Sequence, residues 1–153
     1  MNQKSLRDHV FHYLAGIRGD RKMTCYVDIS VEEFRGGQRG SGTASIVIWA
    51  MKGGQRHETG PYTVTVEDET RNSLAIKAVN EALKHFIRPG QEIIIRMQDP
   101  YVRANLRYLE AWHEQDYRKQ GGKTVANADE WRKLWMHCRN HRIRVEEAAD
   151  AAV

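Results

Sequence analysis

The segment Gln91-Glu-Ile-Ile-Ile-Arg-Met97 is a short apolar run enclosed by turn residues, with Pro89-Gly90 before it and Pro100 after it. It lacks the alternation of apolar and polar residues that marks a half-buried strand. A continuous apolar run of this length is typical of a strand that is buried on both faces and paired in parallel. Because parallel strands need a crossover connection, usually a helix, the segment predicts an α/β protein.

Helical patterns lie on both sides of this strand. Before it, Thr70-Arg-Asn-Ser73 has side chains suited to a helix N-terminus, and the apolar residues from Leu74 to Phe86 form a broad stripe. After it, residues Tyr101–Tyr117 carry apolar side chains roughly on one side of a helix. We therefore predict one helix between Thr70 and Pro89 and a second over Tyr101–Tyr117.

Three strands are predicted upstream of these helices. Residues Met23–Ser30 are rich in β-forming side chains, Thr43–Met51 are apolar and β-branched, and His57–Val66 alternate in polarity. A Gly- and Arg-rich loop, Arg35–Gly42, separates the first two strands, and Lys52-Gly-Gly-Gln55 has the composition of a turn. The three strands are expected to form an antiparallel meander.

The two ends of the chain add further elements. Ser5–Gly16 predicts a short helix within an N-terminal extension of residues 1–20. Downstream we predict a helix from about Ala128 to Cys138, a short strand over His141–Val145 and a helical turn or two over Glu146–Ala152. The main order is βββαβααβα, which predicts a five-stranded mixed sheet with helices on its faces.

Length and composition indicate an ordinary globular chain. With 153 residues, 41% hydrophobic and 29% charged, it is predicted to form a single domain over residues 1–153. No window approaches the roughly 18 consecutive apolar residues of a membrane span, and the N-terminus lacks the apolar stretch of a signal peptide. Cys25 and Cys138 form no C-x-x-C pair. We therefore expect a cytoplasmic protein with two buried free thiols.

Positive charge is concentrated in the C-terminal half. Residues Arg88–Arg144 contain 12 Lys and Arg against 7 Asp and Glu, while the whole chain has a net charge of +4. A basic face is the electrostatic footprint of nucleic-acid binding, although most such clusters are only solvated surface. The charge distribution is therefore weak support for a nucleic-acid partner.

Four segments resemble the ribonuclease H family and occur in the family's order. Tyr26-Val-Asp-Ile-Ser30 is similar to the aromatic-x-Asp-Gly-Ser motif of its first strand, and Thr70–Leu83 resembles its Thr-Asn-Asn helix start. Met97-Gln-Asp-Pro-Tyr-Val102 resembles Thr-Asp-Ser-x-Tyr-Val, and Lys123–Trp131 resembles Lys-x-Val-x-Asn-x-Asp-Leu-Trp. The likeness extends from about Tyr26 to Val145 and implies an RNase H-like fold.

The resemblance implies two-metal hydrolysis of phosphodiesters, in which clustered carboxylates hold two Mg²⁺ or Mn²⁺ ions about 4 Å apart. Asp28 matches the family's first-strand aspartate and is the candidate catalytic and metal-binding residue, with Asp99 as a second catalytic candidate. The next two family carboxylates align with Ala75, which has no donor atom, and with the neutral amide Gln98. An active site would therefore need Mg²⁺ or Mn²⁺, and a degraded one would need no cofactor.

The C-terminus departs further from the family pattern. Ile143–Asp150 runs almost directly from strand to terminus, without the family's histidine loop. For a metal site rebuilt from shifted positions, Asp150 is the carboxylate available to join Asp28 and Asp99, with Glu69 or Glu81 as a further candidate.

The phosphate-handling side of the family pattern is better preserved. The resemblance implies phosphate contacts at Thr70 and Asn127, with Asn72 in the same motif as Thr70. Three basic residues fall near the family's basic handle: Arg118, Lys119 and Lys123. Phosphate contacts supply affinity without requiring catalysis, so binding can persist where cleavage is lost.

Structural roles compete with these assignments. Asp99, Thr70 and Asn127 are each suited to cap the helix that follows them. Trp131 and Trp135, four residues apart on one helix, are more typical of core packing than of base stacking. The seven histidines contain no H-E-x-x-H pattern, and no zinc site is predicted.

Three functions remain open on the sequence alone. We favour an RNase H-like protein that binds RNA–DNA hybrid, or other nucleic acid, with little or no hydrolysis. An active metal-dependent ribonuclease H with a remodelled site is one alternative. The other is a non-catalytic module that binds a protein partner through the same fold.

Overall fold

The computed structural model describes residues 23–148 of the chain. Its five strands are β1 (Thr24–Gly36), β2 (Gly40–Lys52), β3 (Gln55–Glu69), β4 (Glu92–Met97) and β5 (Arg142–Glu147). They form one sheet in the order β3-β2-β1-β4-β5. The first three strands are antiparallel neighbours, and β4 and β5 are added in parallel. The predicted five-stranded mixed sheet is confirmed.

Within residues 23–148, four α-helices connect and cover these strands. They are α1 (Arg71–Leu83), α2 (Tyr101–Asn105), α3 (Leu109–Glu114) and α4 (Ala128–Asn140), with a 3₁₀ turn over Leu106–Tyr108 between α2 and α3.

The single helix predicted over Tyr101–Tyr117 is therefore divided. At the end of α2 the Asn105 side chain donates a hydrogen bond to the carbonyl oxygen of Tyr101 (2.8 Å). Such side-chain hydrogen bonds of asparagine compete with the backbone hydrogen bonds of a regular helix. The helical path ends before Asp116 and Tyr117, because both have positive φ angles, 52° and 58°.

The core lies between the sheet and α1. Val27 and Ile29 of β1 are buried against the helices, and α1 packs on β1, β2, β3 and α4. All three isoleucines of β4, residues 93–95, are buried, as expected for a strand covered on both faces. Trp131 of α4 is fully buried, as predicted, whereas Trp135 is half-buried and stacks on the ring of His113 at 4.1 Å.

The prediction of a loop over Arg35–Gly42 is wrong. Strand β1 continues to Gly36 and β2 begins at Gly40, so only residues 37–39 join the two strands. Two glycines make this tight hairpin possible. Gly36 has φ of 134°, and a side chain at Gly40 would lie 2.0 Å from the Arg35 carbonyl oxygen. The glycines thus permit close backbone approach within a hairpin and do not mark a loop.

The structure tests only part of the helices predicted at the two ends of the chain. Glu146 and Glu147, assigned to a C-terminal helical turn, belong instead to β5, where they pair with Arg96 and Met97. The rest of that segment, with Asp150, and the helix predicted over residues 5–16 lie outside the described residues.

Cys25 and Cys138 are both free thiols. Cys25 is fully buried, as predicted, whereas Cys138 is half-buried. Burial raises the pKa of each thiol to about 11. Between Met23 and Ala148, no helix has the length and apolar character required to cross a membrane.

Candidate functional site

Asp28 lies on the central strand of the sheet, with Val47 of β2 and Arg96 of β4 as its neighbours on either side. Its chain neighbours Val27 and Ile29 point into the core beneath α1. Since side chains alternate along a strand, Asp28 projects onto the opposite face of the sheet.

The carboxylate of Asp28 is bonded on both of its oxygens. Trp49 Nε1 donates to Oδ2 at 2.8 Å, and Arg96 Nε donates to Oδ1 at 3.3 Å. A second guanidinium approaches from β3, where Arg56 Nη2 lies 3.6 Å from Oδ2. The negative charge of Asp28 is therefore balanced by two arginines.

An aromatic pair holds these arginines in place. Tyr26 and Trp49 face each other across β1 and β2 and stack with ring centroids 4.2 Å apart. The Arg56 guanidinium lies 4.1 Å from the Trp49 ring centroid, and that of Arg96 lies 5.0 Å from the Tyr26 centroid. Cation–π contact at these distances is attractive, so the rings position both cations beside Asp28.

A cavity of about 520 Å³ opens next to Asp28. Its charged lining consists of Asp28 and Arg96 from the sheet, Asp99 from the segment after β4, and Arg71 from the start of α1. Asp99 is buried and accepts hydrogen bonds from Arg71 Nε (3.1 Å) and from the backbone amide of Tyr101 (3.0 Å). It thus satisfies a free N–H at the start of α2, as the capping interpretation predicted.

The two positions that the resemblance aligns with family carboxylates have different surroundings. Gln98 is exposed and lines the cavity together with Asp28. Ala75 is fully buried in the core and does not line this cavity. Asp28, Gln98 and Asp99 therefore line the same cavity, whereas Ala75 does not.

The other two carboxylates considered for a rebuilt site are paired elsewhere. Glu69 accepts hydrogen bonds from Lys77 and Ser73, and the Lys77 bond is the main cause that lowers the pKa of Glu69. Glu81 pairs with Lys84 at 2.8 Å. Neither residue lines the cavity beside Asp28.

The predicted phosphate-binding residues lie outside this cavity. Thr70 is the N-cap of α1, and its hydroxyl accepts a hydrogen bond from the Ser73 amide at 3.0 Å. Asn72, in the first turn of α1, is exposed. The capping prediction is therefore confirmed for Thr70. Asn127 also occupies an N-cap position, that of α4, but its side chain makes no capping hydrogen bond.

Asn127 and the basic residues belong to the region around α4. The Asn127 side chain donates to the hydroxyl of Tyr101 (3.1 Å) and lines a second cavity of about 450 Å³. Arg118, Lys119 and Lys123 are exposed on the adjoining loop, which is closed by a β-bridge between Arg118 and Thr124.

Sequence reasoning missed the arginines and aromatic rings around Asp28. Tyr26 precedes Asp28 by two residues, and alternation places the two on one face of β1. Three other strands supply Trp49, Arg56 and Arg96. Whether these side chains lie beside Asp28 depends on the register between the strands.

The described residues around Asp28 do not fit a pair of Mg²⁺ ions. Mg²⁺ requires near-octahedral oxygen ligands and is held in such sites by carboxylates. No group of three or more His, Cys, Asp or Glu side chains within residues 23–148 is arranged to hold a metal ion. Both acidic groups of the cavity are instead bonded to guanidinium groups, which repel a cation.

Several solved structures are similar to this chain. LC9-RNase H1, a type 1 RNase H with the type 2 active-site motif, superposes with a TM-score of 0.69 and 15% identity, covering 88% of this chain and 67% of that one. The foamy viral protease–reverse transcriptase in complex with RNA/DNA hybrid gives a TM-score of 0.62 at 18% identity, covering 85% and 19%. RNase H1 from Halobacterium salinarum NRC-1 gives 0.55 at 16% identity, covering 86% and 88%. At these identities the likeness establishes the fold alone.

Two ribonucleases H are similar to this chain in sequence. A ribonuclease H from Granulibacter bethesdensis is 30% identical over 77 residues, which is 50% of this chain and 51% of that protein. A ribonuclease H from Neorickettsia sennetsu is 27% identical over 78 residues, 50% and 52% of the two chains. The aligned part thus spans about half the length of these curated relatives. The RNase H family model matches residues 20–148, most of the chain, and on that ground the chain belongs to the ribonuclease H family.

Proposed function

We propose that this protein is a ribonuclease H family member that binds RNA–DNA hybrid, or a related duplex, with little or no hydrolysis. The observation that carries the proposal is the pairing of the Asp28 carboxylate with Arg96, Arg56 and Trp49. A carboxylate used in this way is a partner for guanidinium groups and not an open ligand for a metal ion.

The electrostatics of the cavity argue against two-metal chemistry. Two dehydrated Mg²⁺ ions carry four positive charges and need several carboxylates to balance them. Asp28 and Asp99 supply two negative charges, which Arg96, Arg56 and Arg71 already offset. Hydrolysis at this site would require Mg²⁺ or Mn²⁺, and Asp28 and Asp99 would have to give up their arginine partners to hold the ion.

Nucleic acid is the partner that the family and the surface charge favour. The similar foamy viral protein was solved in complex with RNA/DNA hybrid. Arg118, Lys119 and Lys123 present exposed positive charge, as phosphate contacts require. Thr70 and Asn127 remain candidate phosphate contacts beside their structural roles. The expected cytoplasmic location stays a prediction.

A cleavage assay tests the proposal. A labelled RNA–DNA hybrid is incubated with the full chain in Mg²⁺ or Mn²⁺, with a competent ribonuclease H as positive control, and binding is followed by fluorescence anisotropy. We expect salt-sensitive binding and no cleavage above that of the Asp28→Asn variant. Binding should weaken steeply between about 50 and 200 mM salt, because phosphate contacts release counterions.

Two outcomes would favour the alternatives. Robust cleavage that disappears in Asp28→Asn would identify an active enzyme with a remodelled metal site. Absence of hybrid and duplex binding at about 50 mM salt, where backbone contacts are strongest, would leave the protein-interaction module as the better interpretation.

A further inference from the structure

The cavity beside Asp28 contains two guanidinium groups that are bound in the same way. Arg71 donates through Nε to Asp99 at 3.1 Å, and Arg96 donates through Nε to Asp28 at 3.3 Å. A guanidinium has five N–H donors, four of them on the terminal nitrogens. Among residues 23–148, those terminal nitrogens form no hydrogen bond in either arginine, so both arginines keep donors for a ligand.

We infer that Arg71 and Arg96 together hold a phosphate group of the nucleic-acid backbone in this cavity, without a divalent metal ion. The inference rests on the proposed function and assigns the place and chemistry of one contact. Asp28 and Asp99 then act as positioning residues that orient the guanidinium groups, and neither is a metal ligand.

The free donors of the two guanidinium groups favour an anion as ligand. Arg71 and Arg96 line the cavity together with the carboxylates that they bond, Asp99 and Asp28. Arg56, which bonds Glu58 at 2.9 Å, also lies 3.6 Å from Asp28, so Asp28 is shared between two guanidinium groups. Guanidinium groups recognise phosphate oxygens through paired N–H donors, which matches the donors left free here.

The cluster is also accessible, as a binding site must be. The side chains of Arg71 and Arg96 are 51% and 31% exposed. The hydroxyl-bearing residues Ser30 and Ser45 line the same cavity and add short polar donors. Both side chains of the Arg96–Asp28 pair are partly exposed, so this pair contributes little to folding stability, and stability alone is a weak reason for it.

Binding measurements on Arg71→Ala and Arg96→Ala test the inference, with Arg144→Ala as a matched control. Arg144 also bonds a carboxylate through Nε, at 2.9 Å to Glu146, but does not line the cavity. We expect hybrid affinity in low salt to fall about tenfold in each cavity variant, the cost of losing charge-assisted hydrogen bonds, and to change little in Arg144→Ala. The slope of log affinity against log salt should decrease by about one for each lost contact.

Two further measurements separate the arginine site from a metal site and from misfolding. Parent affinity should be the same in EDTA and in Mg²⁺ at matched ionic strength. Inorganic phosphate should raise the melting temperature of the parent and of Arg144→Ala, and should leave Arg71→Ala unchanged, because a ligand stabilises only a fold that binds it. Arg96→Lys keeps the charge without the planar fork and should bind with intermediate affinity.

The outcomes distinguish this inference from the proposed function. Hybrid binding that survives in both cavity variants, or that requires Mg²⁺, would overturn the arginine site and leave nucleic-acid binding intact. A phosphate-dependent rise in melting temperature without any hybrid binding would support the anion site and contradict the proposed function. If the parent shows neither hybrid binding nor a phosphate-dependent rise in melting temperature, both the inference and the proposed function are overturned.

Discussion

At the scale of single residues, Thr70 shows how a family motif can also have a local structural purpose. Its extended backbone (φ −85°, ψ 159°) precedes α1, and its hydroxyl accepts the Ser73 amide at 3.0 Å. That amide is one of the four at a helix start that have no carbonyl partner within the helix. The proposed phosphate contact at Thr70 would be an addition to this capping role.

Replacing Thr70 separates the two roles. Thr70→Ala removes the capping oxygen and should lower the free energy of unfolding by about 1 kcal/mol, measured by urea denaturation. Thr70→Ser keeps the hydroxyl and should retain most of that stability. If Thr70→Ala is as stable as the parent, the hydrogen bond to Ser73 does not stabilise α1.

At the scale of elements, the connection from α4 to β5 brings two histidines together. His137 is half-buried on α4, and His141 is buried at the start of the connection, where its Nδ1 accepts the Gln91 amide at 3.3 Å. Burial lowers the pKa of both rings, and His141 and Lys84 lower the pKa of His137 further by charge repulsion. Each ring therefore stays neutral to a lower pH than it would in an unfolded chain.

These shifts predict loss of stability in mild acid. The folded pKa values lie below the ordinary value of 6.5, so the unfolded chain takes up protons first as the pH falls. The stability contributed by the neutral rings is complete above about pH 6.5 and is lost as the pH falls from there through the lower folded pKa values.

Thermal melts between pH 7.5 and pH 5 measure this effect. The melting temperature of the parent should fall over that window, and the double variant His137→Gln with His141→Asn should show a shallower fall. Equal slopes for parent and variant would mean that other groups cause the pH dependence.

At the scale of the whole molecule, the described residues share one sheet and one core. The helix α1 packs on three strands and on α4. Strand β4 lies between β1 of the antiparallel meander and β5, and so connects the two parts of the sheet. Removing any one of these elements exposes core residues of the others. Cooperative unfolding is the usual behaviour of such small domains.

Scanning calorimetry of the full chain tests the predicted single domain over residues 1–153. We expect one transition whose calorimetric and van't Hoff enthalpies agree. Two resolved transitions would show that the N-terminal extension or another segment folds as a separate unit.

Sequence reasoning was most successful where short-range patterns decide the structure. The apolar run of residues 93–95 is buried as predicted, and Thr70 caps α1 as its side chain suggested. Local composition misled at Arg35–Gly42, because glycine permits a tight hairpin as readily as a loop. The family motifs identified the fold because they preserve these local patterns in order.

The environment of Asp28 was decided only by the tertiary structure. The sequence determined that an aspartate lies on the first strand, that the positions aligned with two family carboxylates are Ala75 and Gln98, and that three strands precede a helix, a fourth strand, a helical region and a fifth strand. It did not determine the partners of that aspartate, since Trp49 is 21 residues away and Arg96 is 68 residues away. Local propensity depends on neighbours in the chain, whereas these contacts depend on the register between strands, which forms only when the sheet closes.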